Sequence, residues 1–485
     1  MDYSWGFLID LGVLSLGLII ATVLRVRVRF FQRYLIPNAL TAGFLLLPVY
    51  NYILPRFGFN ADNLGMLVYH LLSISFISMT LRRAADNAPR VRGRIFATSM
   101  ATIFPWGFQA ILGLLFTLLL MRSVMPDLFP AFGMLLPLGF AQGPGQAFAI
   151  GEGWERFGFF GAGSIGLTFA AMGFLAASFG GIFMIHMGVR RGWLEQRFLD
   201  NLDKLAVKSG VYPPDAPRPV GAELTTESEA LDSFTLHTAL VMGTYLLSYA
   251  LLSVITRGLA LAGPLGEDLG VNLWGINYVF SAITAIVVRL IMVKTRLDFV
   301  IDNSTLTRLS GLSVDLMVCA AVAAISIVVV WEYIYAIAVL SILAMLLAFV
   351  TIPWFCSRMF TDHTFHRALM IFGVSTGTLP TGLALLRVID PEFETPVASD
   401  YMYAAGITFI LAIPFILAIN LPAYAATTGN MIWFWLSIAV AVGYILFVMV
   451  AFLLIARGRA FTGGWRIWMP SGGSSGVHAL SDDEG

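Results

Sequence analysis

The chain has 485 residues, of which 58% are apolar and 12% charged, and its mean hydropathy is +0.83. A soluble globular domain is about a quarter charged, so this composition excludes that class and points to a membrane protein. Its 29 basic and 29 acidic residues cancel. The net charge therefore gives no reason to expect a nucleic-acid partner, and the placement of the charges is what informs.

A bilayer core of roughly 30 Å takes about 20 mostly apolar residues in a helix. The first five residues carry Asp2 and no base. They lack the basic start of a secretory signal, and the apolar run after them is expected to stay as a span. In chain order, the apolar runs predict spans at 6–24, 35–54, 62–81, 95–121, 161–187, 234–256, 271–292, 312–331, 335–355, 400–424 and 430–455. Cys319 and Cys356 both fall inside apolar runs, with no disulfide or metal-ligand spacing around them.

Two further apolar runs, at about 132–151 and 368–388, are interrupted near their middles. The first break reads Gln142-Gly143-Pro144-Gly145-Gln146. The second reads Ser375-Thr376-Gly377-Thr378-Leu379-Pro380-Thr381-Gly382. A lipid-exposed helix cannot carry such a break unless protein or water satisfies the freed backbone groups. Both runs are expected to form re-entrant hairpins. Glycine lets the backbone turn and approach a ligand, half-helix N-termini attract carboxylates, and the amides and hydroxyls supply neutral donors and acceptors. Gln142, Gly143, Gly145, Gln146, Ser375, Thr376, Gly377, Thr378 and Thr381 are therefore the candidate substrate-binding residues, and Gly143 and Gly377 the expected tips. The bland alternative is a pair of polar kinks satisfied by neighbouring helices.

The basic residues test this layout. With the N-terminus outside, only Arg56, Arg122, Arg156 and Arg257 lie outside, leaving 25 of the 29 Lys and Arg in the cytoplasm. The positive-inside rule selects this orientation, a multi-pass protein of the cell inner (plasma) membrane with a cytoplasmic C-terminus. The fold class expected is an all-α membrane protein built as an inverted repeat. Residues 1–188 hold five spans with one hairpin before the fifth, and residues 234–425 repeat the pattern in the opposite sense. Residues 189–233 form a cytoplasmic linker, 426–456 an extra C-terminal span, and 457–485 a cytoplasmic tail. Inverted repeats with broken segments at matching places point to a transporter's midplane site.

Asp315 is the clearest acid inside a span, where it is either a sodium or proton site or an interfacial residue. Asn420 is either a cation ligand or a bond between helices. His363 and His366 stand without further ligands and read as a solvated loop. Gly180-Gly181 is expected at a close helix contact, and Trp154 and Trp331 at the membrane interfaces. No GxxxxGK[ST] loop and no nucleophile with its base is present, so a primary pump and an enzyme are not expected.

The order of these segments resembles the sodium/glutamate symporter family. The stretch Arg33-Tyr34-Leu35-Ile36-Pro37-Asn38-Ala39-Leu40-Thr41-Ala42-Gly43 is similar to that family's opening region. The first break with Trp154-Glu155-Arg156-Phe157-Gly158-Phe159, the run Arg308 to Leu316, the run Gly373 to Gly382, and Asn420 correspond in place over about residues 1–425. Proline stands at 144 where the family has histidine, Leu417 where it has aspartate, and Ser164 where it has glutamate. The resemblance implies a homodimeric carrier that couples sodium entry to uptake of glutamate or a related small anionic metabolite, with sodium as coupling ion and no other cofactor. Other readings are a carrier of another substrate class on the same fold and a non-transporting membrane scaffold. A channel is disfavoured because the spans lack continuous polar faces.

Overall fold

A computed structural model describes residues 5–59, 61–83, 92–193, 209–214, 218, 220–261, 263, 270, 273–390, 395–460 and 466–468. Arg90, the linker residues Arg197, Lys204 and Lys208, and most of the tail lie outside this set. The described chain is helical throughout. In order it forms α1 (Gly6–Arg27), α2 (Arg29–Tyr34), α3 (Asn38–Pro48), α4 (Asp62–Thr80), α5 (Arg92–Ser123), α6 (Phe132–Gln142), α7 (Pro144–Glu155), α8 (Ala162–Arg190) and α9 (Ser233–Ala260). There follow α10 (Asn277–Lys294), α11 (Asn303–Ala323), α12 (Ile327–Met359), α13 (Thr364–Thr376), α14 (Leu379–Ile389), α15 (Val397–Ala418), α16 (Leu421–Thr428) and α17 (Ile432–Ala456).

Among the described residues, nine helices are long and apolar enough to cross a membrane: α1, α4, α5, α8, α9, α10, α11, α12 and α17. The stretch from Val397 to Thr428, bent by 42° between Val397–Ala412 and Pro414–Thr428, makes up to ten. This is the build of a multi-pass membrane protein. The helices sort by burial. Only 22% of the apolar window of α1, α9 or α17 is buried, against 67% for α8 and α11. The first group turns rows of side chains such as Leu16, Ile19, Val254 and Leu454 outward, as lipid-facing helices do.

Several element boundaries differ from the sequence reading, for identifiable reasons. The span expected at 35–54 begins only at Asn38, because Leu35 takes a left-handed conformation, and it continues past Pro48 through a π turn and a 3-10 turn to Phe57. The spans expected at 312–331 and 335–355 are α11 and α12, which begin nine and eight residues earlier than expected. The gap expected at 332–334 falls within α12, where Glu332 is exposed. The actual boundary is the turn Ala324–Ser326, and side chains fasten it. Asn51 Nδ2 donates to Ile325 O at 2.9 Å and its Oδ1 accepts from Ile327 N at 3.1 Å, while Ser164 Oγ accepts from Ser326 N at 3.2 Å. Trp154 is buried rather than interfacial, whereas Trp331 is exposed. His366 is likewise buried, inside α13, not in a solvated loop.

At the opposite end, α11 starts at a cap. Asp302 accepts from Ser304 N, Thr305 N, Thr305 Oγ1 and Glu223 N, and its own N–H donates to His237 Nε2 at 2.7 Å. Burial pushes the Asp302 carboxyl up, but these four hydrogen bonds outweigh it and hold it below the ordinary carboxylate range. A depressed carboxyl stabilises the fold above its unfolded pKa and loses that contribution as pH falls through the folded value. Asp302→Ala is expected to cost about 1 kcal/mol at neutral pH, the usual worth of an N-cap. The gap to the parent protein should close on acidification below about pH 4. Thermal unfolding in detergent across pH measures both; a gap that persists in acid would contradict the assignment.

Candidate functional site

Helix α8 runs through the centre and carries glycine at 166, 173 and 180, two turns apart each time. A Cβ at Gly166 would meet the Ala147 carbonyl of α7 at 2.8 Å, and one at Gly180 would meet Phe372 of α13 at 2.9 Å. At Gly173 it would collide with the Thr376 carbonyl of α13 and crowd Phe140 of α6. Gly181 admits Leu385 of α14, so the expected close contact at Gly180-Gly181 is made with the second broken element. Small residues on one helix thus seat both breaks against the same surface.

The two breaks meet. Gly143 ends α6 at φ +99° and ψ 175°, a conformation that side-chain-bearing residues rarely adopt. A Cβ there would lie 2.9 Å from Thr378 Cγ2 and 4.0 Å from Gly377 O. Gly145 packs on Leu72 of α4. Proline stands at the start of each following helix, Pro144 in α7 and Pro380 in α14, where its missing N–H costs nothing.

Polar groups collect at this junction, and several lack partners. Gln109 of α5, buried to 1% exposure, donates from Nε2 to Ser375 O at 3.1 Å. Its Oε1 has no hydrogen-bond partner, and neither do Gln142 Nε2, Gln146 Oε1 and Ser375 Oγ. Buried polar atoms are nearly always paired, and here four unpaired ones gather around two touching breaks. Thr376, Thr378 and Thr381 behave differently. Thr376 Oγ1 donates to Phe372 O at 2.7 Å, and Thr378 and Thr381 cap each other at the start of α14. Of the nine residues expected here, Gln142, Gln146 and Ser375 offer free side-chain groups. The glycines provide the close approach, and the threonines serve their own helices. Gln109 was missed by the sequence reading, although it is the one amide inside the fifth-helix run.

Asp315 lies twelve residues beyond Asn303, about 18 Å along α11 at 1.5 Å per residue. The interfacial reading had assumed a span starting at 312. Register fixes its height further. Helices α4 and α11 run antiparallel, Arg83 N donating to Asn303 Oδ1 at one end and Ser75 Oγ meeting Ser310 Oγ at 2.9 Å midway. Leu72, which touches Gly145, is therefore level with about Ser313, and Asp315 is within a turn of the first break. It has no hydrogen-bond or ion-pair partner among the described residues, and it sits on an exposed strip of α11 with Ser304, Arg308 and Leu312. Towards the far end that face is covered, where Gly43 of α3 packs on Cys319 and Val322.

Asn420 is elsewhere. Its Oδ1 accepts from Trp154 Nε1 at 2.7 Å, at the far end of α7, eleven residues and about 16 Å from Gly143. It ties α16 to the first broken element. A buried acid in α1, Asp10, also escaped the sequence reading; Tyr50 OH and Asn63 Nδ2 each donate to it at 2.9 Å.

No protein-family profile, curated protein or solved structure matches the chain.

The glycines make a discriminating experiment. Gly113 of α5 lies outside both breaks, yet a Cβ there would collide with the Gly133 carbonyl. Gly113→Val is therefore expected to prevent assembly. Gly143→Ala meets only Thr378 Cγ2 and an unfavourable φ, a local cost of about 1–3 kcal/mol. It should elute as a folded protein in detergent. Size-exclusion profiles and melting curves of the two variants test this; equal behaviour would contradict it.

Proposed function

We propose that the chain is a secondary active transporter that moves a small carboxylate-bearing metabolite across a membrane, driven by a coupled cation. The observation that carries this reading is the meeting of two helix breaks around buried polar atoms without protein partners. A polar, discontinuous backbone inside a membrane protein is tolerated where it lines a binding cavity, and transporters place such sites between repeats. On this reading the breaks belong to two re-entrant hairpins of an inverted repeat, α6–α7 entering from outside and α13–α14 from the cytoplasm. Glutamate is the member of this substrate class that the family resemblance names.

Sodium is the proposed driver, with Asp315 as its carboxylate ligand. Its support is an acid without an ion-pair partner among the described residues, at the height of the first break, on an exposed strip of a membrane-spanning helix. The N-terminus is proposed to lie outside and the C-terminus in the cytoplasm. Alternating access then requires one broken element to release its contacts while the other holds. At the base of α13, Arg367 contacts Asp362 and Asp400 at 3.1 and 2.8 Å, and Arg94 contacts Asp400 at 2.6 Å. Such a network is suited to hold the cytoplasmic side shut.

Purified protein in liposomes should accumulate solute only with an inward sodium gradient. Asp315→Asn should weaken the sodium dependence of uptake by tenfold or more while expression is retained; an unchanged sodium response would remove Asp315 from the coupling site. Sidedness is tested by single cysteines at Arg122 and Arg218, in a chain lacking Cys319 and Cys356. Impermeant maleimide should label the first but not the second in intact cells, and the reverse pattern would invert the proposed topology.

A further inference from the structure

The two breaks are not equivalent as anion sites. In α7, Pro144 has no N–H, and Ala147 N is the first to be used, donating to Gly143 O at 3.2 Å. The N–H groups of Gly145 and Gln146 are left at the helix start, and no side chain caps them. Gln142 Nε2 adds a third donor without a partner. In α14 the situation is reversed. Thr378 and Thr381 form a capping box, Thr378 N donating to Thr381 Oγ1 at 3.4 Å, and Pro380 supplies no N–H. One helix N-terminus is open toward the junction and the other is closed by its own side chains.

Of the remaining free groups, the Ser375 hydroxyl can donate or accept, and the two amide oxygens only accept. Gln109 must direct Nε2 to the Ser375 carbonyl, which can only accept, so its free atom is Oε1. Gln146 Oε1 is the second buried acceptor without a partner, and it is 6% exposed as a residue. The side chains at the breaks, Gln109, Gln142, Gln146, Ser375, Thr378 and Thr381, are all neutral. The ionisable group that register brings to this height, Asp315, is itself an acid.

We propose that this junction selects a solute with one carboxylate and an adjacent hydrogen-bond-donating group, such as an amino acid with an uncharged side chain, and disfavours a second carboxylate. The single carboxylate sits on the N–H groups of Gly145 and Gln146 with Gln142, and the ammonium donates to Gln109 Oε1 and Gln146 Oε1. A second carboxylate would find a capped helix start and, among the described side chains at the breaks, no basic group, and would lose its hydration with little compensation. This inference rests on the breaks being the solute site and narrows what that site accepts.

The test is equilibrium binding to the purified full-length chain in sodium-containing buffer, with L-alanine, L-serine, L-glutamine, L-glutamate, glutarate and succinate as probes. At least one neutral amino acid is expected to bind tenfold or more tighter than L-glutamate, with glutarate and succinate weaker still. If L-glutamate or glutarate binds as tightly as the best neutral amino acid, the proposal fails while the solute-site reading stands. If none of the six binds, the solute-site reading fails and the proposal with it. The double variant Thr378→Ala, Thr381→Ala opens the second helix start. In protein that still elutes as folded, it should reduce the neutral-over-glutamate preference by about threefold to tenfold, the worth of a helix-terminus charge interaction. An unchanged preference would show that the capped helix plays no part in selection.

Discussion

The packing of α8 against both broken elements is the contact on which the rest of the molecule depends. Glycines spaced by two turns remove side chains where α7, α6 and α13 press closest, and the backbone of α13 comes within contact of Gly173. In a bilayer there is little hydrophobic gain from bringing two apolar helices together, so association relies on close van der Waals packing over small residues. With bulkier side chains on that column, α8 would hold the two breaks apart. The meeting of Gly143 with Thr378 is thus a consequence of what α8 lacks.

That meeting creates a polar problem in an apolar interior. Each break frees backbone and side-chain groups that lipid cannot satisfy. The second break largely solves it within itself, through the Thr378–Thr381 box, the Thr376 bond to its own helix and the Gln109 bond to Ser375 O. The first does not, and Gln142 Nε2 and Gln146 Oε1 stay without partners. An unsatisfied buried polar atom costs about 1–3 kcal/mol, so the first break is held at an energetic cost that the second avoids.

Away from the junction, polar bonds serve to set heights and angles. Asn51 and Ser164 lock the turn between α11 and α12, Ser75 with Ser310 sets the α4–α11 register, and Trp154 with Asn420 fixes the end of α7. At the base of α13 the charges concentrate, and the chain near its end returns to the same place. Arg358 Nη2 donates to Arg466 O at 2.9 Å, and Trp468 stacks on Trp193 at 5.0 Å and meets Phe365 edge-on at 5.8 Å. The second broken element is therefore gripped at its base by ions and aromatics, and held near its tip by α8 and by the Gln109 bond.

The sequence by itself determined that this is a helical, multi-spanning membrane protein and where its helices break. Hydropathy runs report burial in lipid directly, and the Gly-Pro pairs at 143–144 and the Gly377–Gly382 run cannot continue a helix. It could not decide where α11 ends and α12 begins, because Asn51, distant in the chain, holds the turn at Ile325. It could not separate Thr378 and Thr381, which cap their own helix, from Ser375, whose hydroxyl stays free; all three carry a hydroxyl and their geometry separates them. Nor could it find Gln109, a single amide in an apolar run, or assign Asn420 to Trp154 rather than to an ion. Periodicity and composition are local quantities. Which polar atoms end without partners depends on which helices become neighbours, and that is settled only when the whole chain has packed.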